Sequence, residues 1–127
     1  EQNAENKDGE RIYTQNTVDQ KATFLHGDEV QFLNRWVYEY IKYPDSAIRN
    51  GIEGRVVVEF VVDSKGKVKD IEIVRGVDEE LDAQVEKVIL ASPKWKPARI
   101  AGREVSVRIS VPVEFKLTKS PTFKIKK

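Results

Sequence analysis

The sequence predicts an α+β fold: a three-stranded antiparallel sheet in the spatial order 2-1-3, with two helices packed on one face, in the chain order α-β-β-α-β. Three observations carry this. "RVVVEFVVDSKGKVKDIEIVRG", Arg55 to Gly76, holds two β-branched runs around a glycine-containing turn, the pattern of a hairpin. Two segments place apolar residues at helical spacing, each opening on an aspartate and closing before a proline. From Val105 to Leu117, apolar residues alternate with polar or small ones, the period of a half-buried strand.

Each element follows in order. Residues 1–27 are expected to be a disordered or weakly structured extension: Glu1 to Arg11 is polar and aperiodic, and Ile12 to Phe24 has room for one short, weak strand. A folded domain is expected over 28–117. Asp28 is placed to cap the first helix, with Gln31 in a box-like position, and Val30, Leu33, Val37, Tyr40 and Ile41 form its apolar face. Tyr43 precedes Pro44, which pushes it out of the helical region and ends the helix there; "PDSAIRNG" reads as a short turn closing on Gly51. Strand one spans Gly54 to Val62, with valines on both faces. "DSKG" turns with Gly66 at positive φ, and strand two spans Lys67 to Val74. Asp78 caps the second helix, whose stripe is Leu81, Val85, Val88 and Ile89. "KWKPARIAGRE" reads as a loop, and residues 118–127 as a loose basic tail.

A helix returning along the sheet after strand two makes the last strand parallel to strand two and antiparallel to strand one, so strand one is central. The last strand is then an edge. Pro112 agrees, because proline cannot donate to a ladder and sits on edges or bulges. Arg103, Glu104, Arg108 and Lys116 could blunt that edge by charge; otherwise it is there to be paired.

The composition excludes several classes of function. Lys and Arg number 22 against 21 Asp and Glu, so no basic field argues for nucleic acid. There is no cysteine, which removes disulfides, thiol catalysis and cysteine zinc sites together. No apolar run is long enough to span a membrane. The chain begins at Glu1 and has no Met, so a removed N-terminal portion, such as a signal or anchor, is expected. His26, the single histidine, lies in a loop with no partner for base or metal chemistry, and the acidic run Asp78, Glu79, Glu80 and Asp82 is explained by helix capping. Trp36 and Trp95 read as core or rim. No constellation of an enzyme survives, no cofactor is implied, and binding is the class left open.

Several short motifs then act together: Tyr43-Pro44, "GIEGRV" opening strand one, "VDSKGKV" at the turn, "VRG" ahead of "LDAQV", "WKPA" after the helix, and "VPVEFKL" at the end. In this order and spacing, over Tyr43 to Leu117, the chain resembles the C-terminal domain of the TonB family, energy transducers of Gram-negative bacteria. The segment before Pro44 is similar to the extension of Bacteroidetes-type TonB-like proteins. The resemblance implies a periplasmic domain that binds the TonB box of outer-membrane TonB-dependent transporters by strand addition to the last strand. It places partner contacts at Tyr40, Tyr43 and Pro44 and along Arg103, Glu104, Val105, Ser106, Val107, Arg108, Ile109, Ser110 and Val111. It implies coupling to inner-membrane motor proteins of the ExbB/ExbD type through N-terminal parts not in this chain. A TonB-like adaptor or sensor module of a signalling or peptidase protein is the alternative. An exposed last strand also admits a homodimer through that edge.

Overall fold

The computed structural model describes residues 4–5, 11–25 and 27–117. In chain order the elements are β1 (Ala4–Glu5), β2 (Arg11–Thr14), α1 (Glu29–Phe32), a π-helical turn (Leu33–Val37), α2 (Tyr38–Tyr40), α3 (Asp45–Arg49), β3 (Gly54–Val62), β4 (Val68–Arg75), α4 (Glu79–Leu90), β5 (Ala98–Ile100) and β6 (Arg103–Phe115).

The α+β class holds, and the centre of the sheet is the expected antiparallel unit β4-β3-β6, with β3 in the middle. The sheet as a whole is larger and mixed. It runs β1-β2-β6-β3-β4, with β5 pairing β6 off that path, and β2 pairs β6 in parallel. Two expectations are thereby corrected: the sheet is neither three-stranded nor wholly antiparallel. β3 suits the centre because its side chains bury on both faces, Val56, Val58, Phe60 and Val62 on one and Val61 on the other.

The extension over 1–27 enters the fold from Arg11, since Ile12, Ala22 and Phe24 are all buried. His26 and the tail 118–127 lie outside the described residues. The "KWKPARIAGRE" stretch is not all loop either. β5 and β6 form a two-residue hairpin through Ala101 (φ 51°) and Gly102 (φ 79°), the positive φ pair that a right-twisted hairpin favours. Arg99 secures it by donating to the Gly102 carbonyl at 2.9 Å and to Glu104 at 3.1 Å.

Both aspartate caps form. Asp28 accepts from the Val30 N–H at 3.0 Å, and Asp78 accepts from the N–H groups of Glu80 and Leu81. α4 buries the expected stripe of Leu81, Val85, Val88 and Ile89. The first helix, α1 through α2, buries Val37 and Ile41 of the expected face and half-buries Leu33, but turns Val30 and Tyr40 outward, at 58% and 60% exposure, and Phe32 inward. The π-helical turn is the reason: it inserts a residue, so that Phe32 and Val37, five apart, share one face. "PDSAIRNG" holds a short helix, α3, which begins after Pro44 and closes toward Gly51 at φ 66°. In the β3–β4 turn, Gly66 has φ 86°, and a Cβ there would meet the Trp95 carbonyl oxygen at 2.0 Å. Trp95 in turn donates its backbone N–H to Gly66 at 2.8 Å, which docks the turn on the loop leading to β5.

Candidate functional site

The residues singled out in the sequence fall into two places: the end of the first helix with the turn after it, and the last strand. Tyr40 is exposed at the end of α2, its ring against Trp36 with centroids 4.6 Å apart. Trp36 is held by its indole N–H, which donates to the Val88 carbonyl at 2.8 Å. Tyr43 is buried. Its ring meets Phe115 edge-on at 5.2 Å and its hydroxyl donates to the Ile52 carbonyl, so it braces the turn from inside rather than meeting a partner at the surface. Pro44 is half-buried at the start of α3.

β6 has one edge against β3, in unbroken antiparallel register from Gly54↔Phe115 to Val62↔Val107. Its other edge is identified by a hydrogen bond that sequence reasoning missed. The Glu114 N–H points away from β3 and donates to the Tyr38 hydroxyl at 3.0 Å. Backbone groups alternate sides along a strand, so Pro112, Ser110, Arg108 and Ser106 share that outward side. Pro112 thus places its missing donor on the outer edge, where β3 loses nothing.

Within Arg103–Val111, β5 pairs with Arg103, Glu104 and Val105, and β2 pairs with Ser106, Val107 and Arg108. Among the described residues, only Ile109, Ser110 and Val111 of this stretch have no strand beside them other than β3. Their side chains alternate: Ile109 and Val111 are buried, while Ser110 is exposed. Arg108 lies 3.8 Å from Glu59 across the sheet, a partly exposed ion pair of little energetic weight. The outer edge of β4, at the far side of the sheet, has no strand beside it among the described residues.

Two phenols near β6 have raised pKa values. Tyr38 is raised chiefly by burial, with the Glu114 N–H acting to lower it, the Glu114 charge to raise it and Arg55 to lower it. Tyr43 is raised by burial and then by the Glu53 charge. Both shifts mean that the fold holds the neutral phenol. The stability they contribute is complete below the unfolded value of about 10 and is lost as pH rises through the folded values. Thermal melts of a Tyr38→Phe/Tyr43→Phe variant should therefore show a smaller loss of Tm above about pH 10 than the parent.

Among the described residues, no group of three or more His, Cys, Asp and Glu could hold a metal ion, and no helix is long and apolar enough to cross a membrane. The arrangement offers backbone pairing at the outer edge of β6 and, apart from it, an exposed tyrosine packed on a tryptophan.

In two strains of Xanthomonas campestris pv. campestris, Protein TonB is 32% identical over 79 residues, covering 60% of this chain and 34% of the relative. The matched region thus spans about a third of the length of those curated relatives. Two solution structures of the Helicobacter pylori TonB C-terminal domain superpose with TM-scores of 0.54 and 0.52, both at 22% identity. They cover 72% and 74% of this chain and 82% and 99% of theirs, which establishes likeness of fold. Residues 39–117, which include α3, the β4-β3-β6 sheet, α4 and the exposed Tyr40, match the family model described as Gram-negative bacterial TonB protein C-terminal, and the chain belongs to that family.

Proposed function

We propose that this domain is the periplasmic end of a TonB-type energy transducer, gripping the TonB box of outer-membrane TonB-dependent transporters by β-strand addition to β6. The family is one of energy-transducing, non-enzymatic proteins. The observation that carries the proposal is the outer edge of β6, a strand of 13 residues, where Ser110 turns its backbone groups away from β3 and outside the register of β2. A backbone ladder supplies affinity with little regard to sequence, and side chains beside it, with the exposed Tyr40 packed on Trp36 as the candidate, supply selectivity. An N-terminal membrane anchor outside this chain connects the domain to motor proteins of the ExbB/ExbD type. A single added strand makes a small interface, and weak, micromolar-range binding is the expected outcome.

An NMR titration of the labelled domain with a synthetic peptide from a transporter's plug N-terminus tests this. Amide shifts should concentrate on Ser106 to Val111 and spare Val68 to Arg75. Absence of any shift on β6 at millimolar peptide would overturn the proposal.

A further inference from the structure

An added strand needs a run of free backbone groups, and the outer edge of β6 has very few. β2 lies against it in parallel, with Ile12 opposite Ser106, Tyr13 opposite Val107 and Thr14 opposite Arg108. Beyond Thr14 the edge runs only from Ile109 to Val111 before Pro112, which has no N–H, and Glu114, whose N–H is held by Tyr38. Strands in sheets commonly run to about five or six residues. The open stretch is too short for one. With β2 gone, the run extends from Ser106 to Val111 and becomes long enough.

We propose, resting on the strand-addition function above, that Arg11–Thr14 is a resident strand occupying the docking edge, and that a transporter segment binds only to the conformation in which β2 has left. The way β2 is held suits this role. Its one fully buried side chain is Ile12, at 2% exposure, while Tyr13 and Thr14 are half-buried and Arg11 is exposed. Ile12 also lies outside the main apolar cluster and Tyr13 is only half-buried where it packs against it, so the departure of β2 uncovers one side of that cluster without removing a member of it. The pairing is parallel, slightly weaker per residue than an antiparallel ladder, and among the described residues β2 carries only the two-residue β1 on its far side.

The chain that follows is anchored on its own account. Gln15 brackets Ala22, accepting from its N–H at 2.8 Å and donating to its carbonyl at 3.0 Å. Gln20 bridges to Arg99 and Thr23 to Lys96, and Phe24 is buried in the core. The joint between the mobile and anchored parts is the Thr14–Thr17 turn, closed by the Thr17 N–H donating to the Thr14 carbonyl at 3.1 Å. β2 therefore has a hinge, and it can swing out without unthreading the segment behind it.

The test is a reversible lock. The chain has no cysteine, and Thr14 and Arg108 are register partners on adjacent strands. Neighbouring strands lie about 4.8 Å apart, within the Cα range of a disulfide. The full chain carrying Thr14→Cys and Arg108→Cys is titrated with a synthetic plug-terminal transporter peptide of about ten residues, oxidised and then reduced. Oxidation should weaken binding at least about tenfold and reduction should restore it, because apparent affinity scales with the competent fraction. In the cysteine-free chain, Ile12→Ala should tighten binding by up to about tenfold for the same reason. Equal binding in both redox states, or shifts along β4 in place of β6, overturns the resident-strand proposal and leaves peptide binding itself standing. No binding in either redox state or by Ile12→Ala overturns strand addition, and this proposal with it.

Discussion

Phe32→Ala is expected to destabilise the domain by about 3–5 kcal/mol, seen as a lower urea midpoint with an unchanged slope. Phe32 has no exposed surface and stands at the junction of four parts of the chain. Its ring centroid lies 5.1 Å from Phe24 in the N-terminal segment, 5.5 Å from Phe60 on β3 and 5.0 Å from Trp95 in the loop before β5. Phe24 and Trp95 also touch each other at 5.6 Å, and Phe60 and Trp95 at 5.9 Å, so the four rings close on one another. Tilted and edge-on pairs of this kind add roughly 0.5–1.5 kcal/mol each beyond the area they bury. The Trp95 indole N–H is buried with no acceptor among the described residues, so this cluster already carries a polar cost and depends on close packing. No single neighbour can collapse into the space left, because each belongs to a different element. A loss of this size is a large share of the roughly 5–15 kcal/mol that holds a domain folded. Leu90→Ala is the control: Leu90 is 65% exposed on α4, and its removal should change the midpoint little.

That cluster also marks where the sequence stops being legible. The β3–β4 hairpin, α4 and β6 each carry their own hydrophobic period, so local pattern alone locates them, and β3 declares its central place by burying valines on both faces. The two aspartate caps are equally local. β2 and β5 are not local. β2 is four residues with one buried side chain, and only its pairing with β6 and β1 makes it a strand. β5 is three residues behind Pro97, turned by Ala101-Gly102 where an Asn-Gly would have signalled the hairpin. The π-helical turn has no period to read in a helix this short, so helical spacing puts Val30 on the inner face where the fold puts Phe32. The same limit holds at the candidate site. Pro112 was visible as an edge marker, but Tyr38 capping Glu114 from 76 residues away was not. Tyr43, carried by resemblance as a contact, is buried beneath the surface it was expected to form.

Ser110→Pro separates the edge from the scaffold, and it is expected to weaken transporter-peptide binding by about 10- to 100-fold while leaving the fold within about 1 kcal/mol of the parent. The N–H of Ser110 faces outward, on the same side as the Glu114 N–H that Tyr38 receives, so β3 does not use it. Removing it deletes a donor that only an incoming strand would meet, and the proline ring stands where that strand's backbone would approach. Two residues on, Pro112 already occupies an equivalent outward position within unbroken register to Val57, which shows that β6 accommodates the ring. Ile109→Pro, one residue earlier, should behave in the opposite way. Its N–H faces β3 opposite Phe60, so there the substitution breaks the central ladder and costs about 3 kcal/mol or more of stability. Ser110→Ala keeps the donor and should bind as the parent does. Ser110 also lies outside the register of β2, so the loss should persist in the Ile12→Ala background, where the resident strand is loosened. Isothermal titration with the plug-terminal peptide, paired with a urea melt of each variant, reads both quantities. Unchanged affinity in a folded Ser110→Pro domain would move the docking surface off β6 altogether.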